Sequence, residues 1–171
     1  MRVVLTGFMG AGKTTVGRRL SELAGIPFVD LDERIELRFG ASVRDIFERR
    51  GEPAFRAAER EELERALATD PAVVATGGGT LTFAENLELA RGRGLVVWLH
   101  PSFATLARRV GGLGKADRPL FRDEQSAFTL YRERLPAYAG ADLKVDISDS
   151  ESADEVAARL RLLLRERGCS I

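Results

Sequence analysis

Cysteine is almost missing from this chain: Cys169 stands alone in 171 residues. That excludes a disulfide framework and any cysteine-based zinc site. No apolar run approaches the length that crosses a bilayer, and Met1–Thr6 is too short for the core of a signal peptide, so a cytoplasmic location is expected. An excess of charge is missing as well. The 26 Lys and Arg balance 26 Asp and Glu, which leaves no global field to draw nucleic acid or a membrane, and neither partner is expected. Histidine is reduced to His100. A lone histidine after a strand-like run is most often structural, and it receives no role. There is no internal repeat, no low-complexity linker and no Asn-Lys-x-Asp stretch of the kind that reads guanine. The length fits one domain, residues 1–171, large enough for a full core.

Lysine is scarce too. Only Lys13, Lys115 and Lys144 interrupt an otherwise all-arginine set of cations. The first falls inside Gly7-Phe8-Met9-Gly10-Ala11-Gly12-Lys13-Thr14, which fits the phosphate-binding pattern G-x-x-x-x-G-K-[ST]. Apolar, β-branched Arg2–Thr6 before it reads as a buried strand. After it, Val16, Leu20 and Leu23 recur on one helical face. Glycines let the backbone approach a polyanion, successive N–H groups make a nest, and the positive helix end faces the phosphates. Lys13 is then placed for the β- and γ-phosphates and the Thr14 hydroxyl for Mg²⁺. A compact ammonium on a thin stem suits such a pocket better than a planar guanidinium.

Further along, Pro27-Phe28-Val29 reads as a strand followed by Asp30-Leu31-Asp32. Two acids at i and i+2 of an extended segment share a side. They read either as a metal or hydroxyl-binding pair, or with Asp32 as the cap of a helix Glu33–Phe39. Gly51 and Pro53 separate two helices, the second running to about Thr69. Arg56 then lies in a first helical turn, either as a functional cation or as a solvated partner of Glu59. Pro71–Thr76 is a third strand ending in Gly77-Gly78-Gly79, where a ligand can approach the backbone or the chain simply turns. Phe83–Arg91 reads as helix, Leu95–Leu99 as a central strand, and Ser102 as the cap of a helix to about Val110. Residues 111–124 are glycine-hinged, basic and irregular, read as a mobile lid or an ordinary surface loop. A helix carrying Phe128, Tyr131 and Arg134 is expected to stop near Pro136. Leu143–Asp146 is a fifth strand, and Ser152 with Glu155 a capping box before a closing helix. Strands alternating with helices predict an α/β fold: a parallel sheet with helices on both faces, in three α/β/α layers.

These separated motifs together resemble the shikimate kinase family over essentially the whole length. The matching stretches are Gly7–Thr14, Asp30-Leu31-Asp32, Gly51-Glu52-Pro53-Ala54-Phe55-Arg56, Gly77-Gly78-Gly79, Arg118-Pro119-Leu120 and Arg134-Leu135-Pro136-Ala137-Tyr138. The resemblance implies a P-loop kinase fold with five parallel strands in the order 2-3-1-4-5, and a monomer that phosphorylates shikimate from ATP. Gly10, Ala11, Gly12, Lys13, Thr14 and Thr15 would hold the phosphates. Thr14 and, through water, Asp30 would hold one Mg²⁺ per subunit. Asp32 would bind shikimate hydroxyls and accept the 3-hydroxyl proton. Arg56 and Arg134 would clamp the shikimate carboxylate. Gly77, Gly78 and Gly79 would line the substrate site, with Gly78 offering its backbone. Phe47 and Phe55 would line the ring pocket, within substrate-binding helices at about 31–62. Arg118 would swing in on the lid, and Arg109 would pack on adenine. The loop after the last strand departs from the family. Val145–Ser152 keeps the Val-Asp start but lacks the usual basic residue or glutamine and the proline, so weak reading of the base by side chains is expected. Two other readings remain at this point: a P-loop kinase of another small acceptor, such as gluconate or a nucleoside monophosphate, and a non-catalytic nucleotide-binding module. The paired arginines favour a carboxylate acceptor, and intact Lys13, Thr14, Asp32 and Arg118 favour catalysis.

Overall fold

The computed structural model describes residues 1–111 and 123–169. Five parallel strands form one sheet: β1 (Arg2–Thr6), β2 (Phe28–Asp30), β3 (Ala72–Ala75), β4 (Leu95–Pro101) and β5 (Leu143–Ile147), in the order β2-β3-β1-β4-β5. The family resemblance implied this order, and the structure has it. Among the described residues the helices are α1 (Lys13–Ala24), α2 (Leu31–Phe39), α3 (Val43–Ala66), α4 (Ala84–Arg93), α5 (Phe103–Gly111), α6 (Glu124–Tyr138) and α7 (Ala153–Glu166).

Side chains of a strand alternate between faces, and β1 uses both. Val3 and Leu5 join Val16 and Leu20 of α1 and Val156 and Leu160 of α7 in one core. Val4 turns the other way, to Leu63 and Ala66 of α3 and Ala90 of α4. Strands covered on both sides explain the continuous apolar runs in the sequence. A third, smaller cluster of Ile35, Ile46, Phe55 and Ala58 binds α2 to α3. All of this places the carboxyl ends of β1, β2 and β3 on one side of the sheet, where ligands bind in such folds.

Several boundaries differ from the sequence expectation for identifiable reasons. Helix α2 begins at Leu31, and its cap is Asp30 rather than Asp32: Oδ1 of Asp30 accepts the amides of Asp32 at 3.0 Å and Glu33 at 3.3 Å. Asp32 therefore stands in the first helical turn and not in an extended segment. Helix α6 runs through Pro136 to Tyr138 instead of stopping. Proline there removes one late hydrogen bond, but Pro136 is exposed while Arg134 and Tyr138 are buried against the core. Tertiary packing carries the last turn. Helix α3 breaks at Gly51, whose φ of 79° and ψ of 164° leave the helical region. Pro53 opens its second half, as the sequence predicted, and that half ends at Ala66, short of Thr69. A short 3₁₀ turn, Thr80–Thr82, precedes α4 and has no sequence signature among the motifs above.

Candidate active site

The loop between β1 and α1 is the floor of the site. Gly10 and Gly12 hold φ values of 80° and 94°, a region that costs side-chain-bearing residues energy and glycine almost none. Gly12 is also the N-cap of α1, and no side chain caps it. The first turn of α1 thus presents backbone donors and the positive end of its dipole to the loop. Nζ of Lys13 donates to the carbonyls of Gly7 at 2.8 Å and Phe8 at 3.0 Å. The ammonium is folded back along the loop it is meant to serve.

Beside the loop, the Thr14 hydroxyl donates to Oδ2 of Asp30 at 2.7 Å. The two carboxylate oxygens of Asp30 therefore have separate duties, one capping α2 and one holding Thr14. A hydroxyl and a carboxylate are hard oxygen donors, the chemistry Mg²⁺ selects. Among the described residues no group of three or more His, Cys, Asp or Glu side chains could cage a metal. The set suits an ion that keeps most of its water and leans on substrate phosphates. The cleft over this floor has a volume of about 500 Å³ and is walled by the loop, Asp30, Asp32, Thr76 and Gly78.

Gly77, Gly78 and Gly79 carry the chain from β3 to the 3₁₀ turn, and their missing side chains leave space that groups of three helices fill. A β-carbon on Gly77 would stand 2.6 Å from Oε1 of Glu59 and 3.1 Å from Oδ1 of Asp32. One on Gly78 would stand 3.3 Å from Nη1 of Arg134, and one on Gly79 would meet Arg56 and Arg134 together. The three glycines therefore make room for the acid of α2 and both arginines, rather than merely turning the chain. Each arginine is held from behind. Arg56 donates to buried Glu59 at 2.7 Å and to Glu52. Burial works against its charge, but Glu59 and Glu52 outweigh this and raise its pKa. Glu59 also accepts from the Thr80 hydroxyl, which ties the clamp to the glycine turn. Arg134 is itself buried and lies over the face of Phe8. Phe47 and Phe55 pack together with ring centroids 4.6 Å apart, and Arg56 lies over both.

The opposite end of the cleft is apolar with one acid. Ile147, Ala153 and Val156 line it with Glu151 and Arg109. Arg109 donates to the Gly10 carbonyl at 3.1 Å. Glu151 is engaged by Arg159 and accepts the Ser148 amide at 2.8 Å. The amide bond lowers its pKa against the opposing effect of burial, with Arg159 adding to the shift.

With this geometry in view, the comparisons are consistent with one another. The family described as shikimate kinase matches residues 9–165. A shikimate kinase of Symbiobacterium thermophilum is 42% identical over 171 residues, covering 98% of each chain. The chain belongs to the shikimate kinase family. One of Caulobacter vibrioides is 43% identical, covering 94% of this chain and 81% of its own. The solved shikimate kinase of Acinetobacter baumannii, in complex with shikimate, superposes with a TM-score of 0.91 at 36% identity, covering 97% of this chain and 93% of its own. A gluconokinase of Sinorhizobium meliloti, at 21% identity and a TM-score of 0.55, shares the fold.

As a shikimate kinase family member the chain gathers Lys13, Thr14, Asp30, Asp32 and Gly78 around one cleft, with Arg109 at its far end. Arg56 and Arg134 adjoin it across Gly79. Arg118 and almost all of the expected lid lie outside the described residues. His100 stands off the cleft, bound to Asp146 at 2.6 Å and Tyr131 at 3.0 Å, which agrees with a structural role. Sequence reasoning named Glu59 only as a surface partner, yet it is fully buried. Its signal was the i+3 spacing from Arg56. Glu151 and Thr76 had no signal beyond their position after strands.

Proposed function

We propose that this chain transfers the γ-phosphoryl group of ATP to the 3-hydroxyl of shikimate, giving shikimate 3-phosphate and ADP, as a cytoplasmic monomer supplying chorismate and the aromatic amino acids. The observation that carries the reading is the convergence of Arg56 and Arg134 on Gly79, with Arg134 lying over Phe8 of the phosphate loop. Two planar guanidinium forks at one point match a carboxylate-bearing acceptor.

Phosphoryl transfer asks mainly for in-line positioning and neutralised charge. The loop amides and α1 hold the phosphates. On nucleotide binding Lys13 exchanges the Gly7 and Phe8 carbonyls for phosphate oxygens and stabilises charge as it moves to the leaving oxygen. The arginine pair fixes the carboxylate, so the ring presents its 3-hydroxyl to Asp32. Asp32 accepts the hydroxyl proton while the oxygen forms its bond to Pγ and the bond from Pγ to the β–γ bridging oxygen breaks. Thr14 and Asp30 would hold Mg²⁺, which would supply positive charge against the phosphates. Arg118, outside the described residues, carries the further positive charge that the family resemblance assigns to the transferring group. Arg109 covers the adenine.

The test is turnover with ATP and Mg²⁺ against shikimate, quinate, gluconate and nucleoside monophosphates. Shikimate is the expected acceptor. A clear preference for gluconate or a nucleotide would replace the reading.

A further inference from the structure

We propose that Tyr138 is a positioning residue for the acceptor substrate, whose phenol holds in place the Gly78–Gly79 peptide that Arg134 lies against. The inference rests on the carboxylate clamp just described and concerns what sets its geometry.

Residues four apart share a face of a helix, so Tyr138 lies one turn beyond Arg134 on α6. Its hydroxyl donates to the Gly78 carbonyl at 2.6 Å, across 60 residues of sequence. Nη1 of Arg134 stands 3.3 Å from where a β-carbon would sit on that same glycine, and the guanidinium charge acts on the phenol oxygen. A phenol has one O–H to give, and here it goes to the carbonyl of the glycine that Arg134 lies against. Tyr138 is 1% exposed. Water is therefore kept from that bond, and the Trp98 ring packed 5.8 Å away holds the phenol from the side. The carbonyl of Gly78 defines the plane of its peptide bond with Gly79. Fixing that oxygen fixes the plane on which the arginines converge. Phenylalanine would fill the same volume and pack as well against Trp98. What tyrosine adds is the one O–H that ties the glycine turn to the helix carrying Arg134.

The experiment is steady-state kinetics and direct binding with Tyr138→Phe, Arg134→Ala and the double variant, using shikimate and its carboxamide analogue. Tyr138→Phe is expected to raise the KM and Kd for shikimate about ten-fold, with the KM for ATP within about two-fold of wild type. The loss is expected to shrink to within about two-fold in the Arg134→Ala background and with the carboxamide, since residues acting through one another are not additive. Ser21→Ala, which removes a part-buried bond to the Ile26 carbonyl at residues that do not line the cleft, should lower Tm without a selective rise in the shikimate KM. Shikimate binding within two-fold of wild type in Tyr138→Phe, beside a weakened Arg134→Ala, overturns this inference and leaves the clamp standing. Equal weakening of both substrates overturns it as well. An unaffected Arg134→Ala overturns the clamp and the inference together. Should Tyr138→Phe not fold, the chain's two tyrosines allow a test without mutating the site. In protein labelled with 3-fluorotyrosine, with signals assigned through Tyr131→Phe, the Tyr138 ¹⁹F resonance should move on adding shikimate and stay in place with nucleotide alone. A resonance unmoved by shikimate overturns the inference.

Discussion

Arg56 and Arg134 close on one point, the place a β-carbon would occupy on Gly79, at 2.9 Å from Nη1 of the first and 3.2 Å from Nη2 of the second. They come from α3 and α6, whose nearest sequence neighbours are far apart. The glycine is what lets the two forks meet.

Gly79→Ala is therefore a sharp probe. Its φ of −107° and ψ of −8° suit any residue, so the backbone is not strained. The new methyl would push on the mobile ends of two side chains. The variant should fold, keep its ATP affinity, and bind shikimate about ten-fold or more weakly. Calorimetric titration with each substrate checks this, and equal loss for both would place the damage elsewhere.

Removing either arginine should cost more. A lost charge-assisted bond is worth about 1.5–3 kcal/mol, or roughly ten- to a hundred-fold in affinity. Arg56→Ala carries the further cost of leaving Glu59 buried without its guanidinium, so it should also lower Tm, and Arg56→Ala/Glu59→Gln should recover part of that stability but not the affinity.

At the other end of the cleft, base selectivity should be loose. Glu151 is held by Arg159 and the Ser148 amide, Arg109 by the Gly10 carbonyl, and Ile147, Ala153 and Val156 in the same wall are apolar. The triphosphate then supplies most of the binding. GTP should support turnover within about one to two orders of magnitude of ATP, or about 1.4–2.8 kcal/mol of discrimination. Stronger rejection of GTP would mean backbone groups of residues 148–152 read the base.

Alkali should expose Tyr138. Burial, partly offset by Arg134, pushes its pKa up to about 12 from 10. The neutral phenol is favoured in the folded chain, so its contribution is complete below pH 10 and is lost as pH rises towards 12. Two pKa units correspond to about 3 kcal/mol. Denaturant titrations at pH 9 and above should show wild type losing stability more steeply than Tyr138→Phe. Parallel curves would contradict the shift.

The phosphate loop was legible because every part of it is local: strand, glycines, lysine and helix follow one another. The same holds for the Gly51 break and the Ser152–Glu155 capping box, which the structure closes in both directions. Contacts between distant segments were not legible. Nothing in the residues around Gly78 names Tyr138, and strand order came from the family resemblance rather than from periodicity. The start of α2 was misread because the D-x-D pattern fits either acid as the cap, and only the backbone shows that the strand ends at the first. Pro136 was misread because a local rule met burial on both sides of it. The glycine triplet was ambiguous alone, since the groups that need its space lie on α2, α3 and α6.

Lys13→Met should fold and lose orders of magnitude in kcat, because the ammonium is asked to stabilise charge that develops only in transfer. Single-turnover kinetics at saturating substrates check this. Near-normal rates would remove the proposed site.

The resting position of Lys13 has a consequence of another kind. Its ammonium bridges the Gly7 and Phe8 carbonyls and so splints the loop from the carbonyl side, alongside the Ala11 amide that also donates to Phe8. The loop keeps its anion-shaped hollow before any anion arrives, and nucleotide capture becomes a swap of partners rather than a folding event. An uncharged side chain there should slow nucleotide association and speed hydrogen exchange of the Gly10–Thr14 amides in the ligand-free protein. The lysine would thus be a template first and a catalyst second.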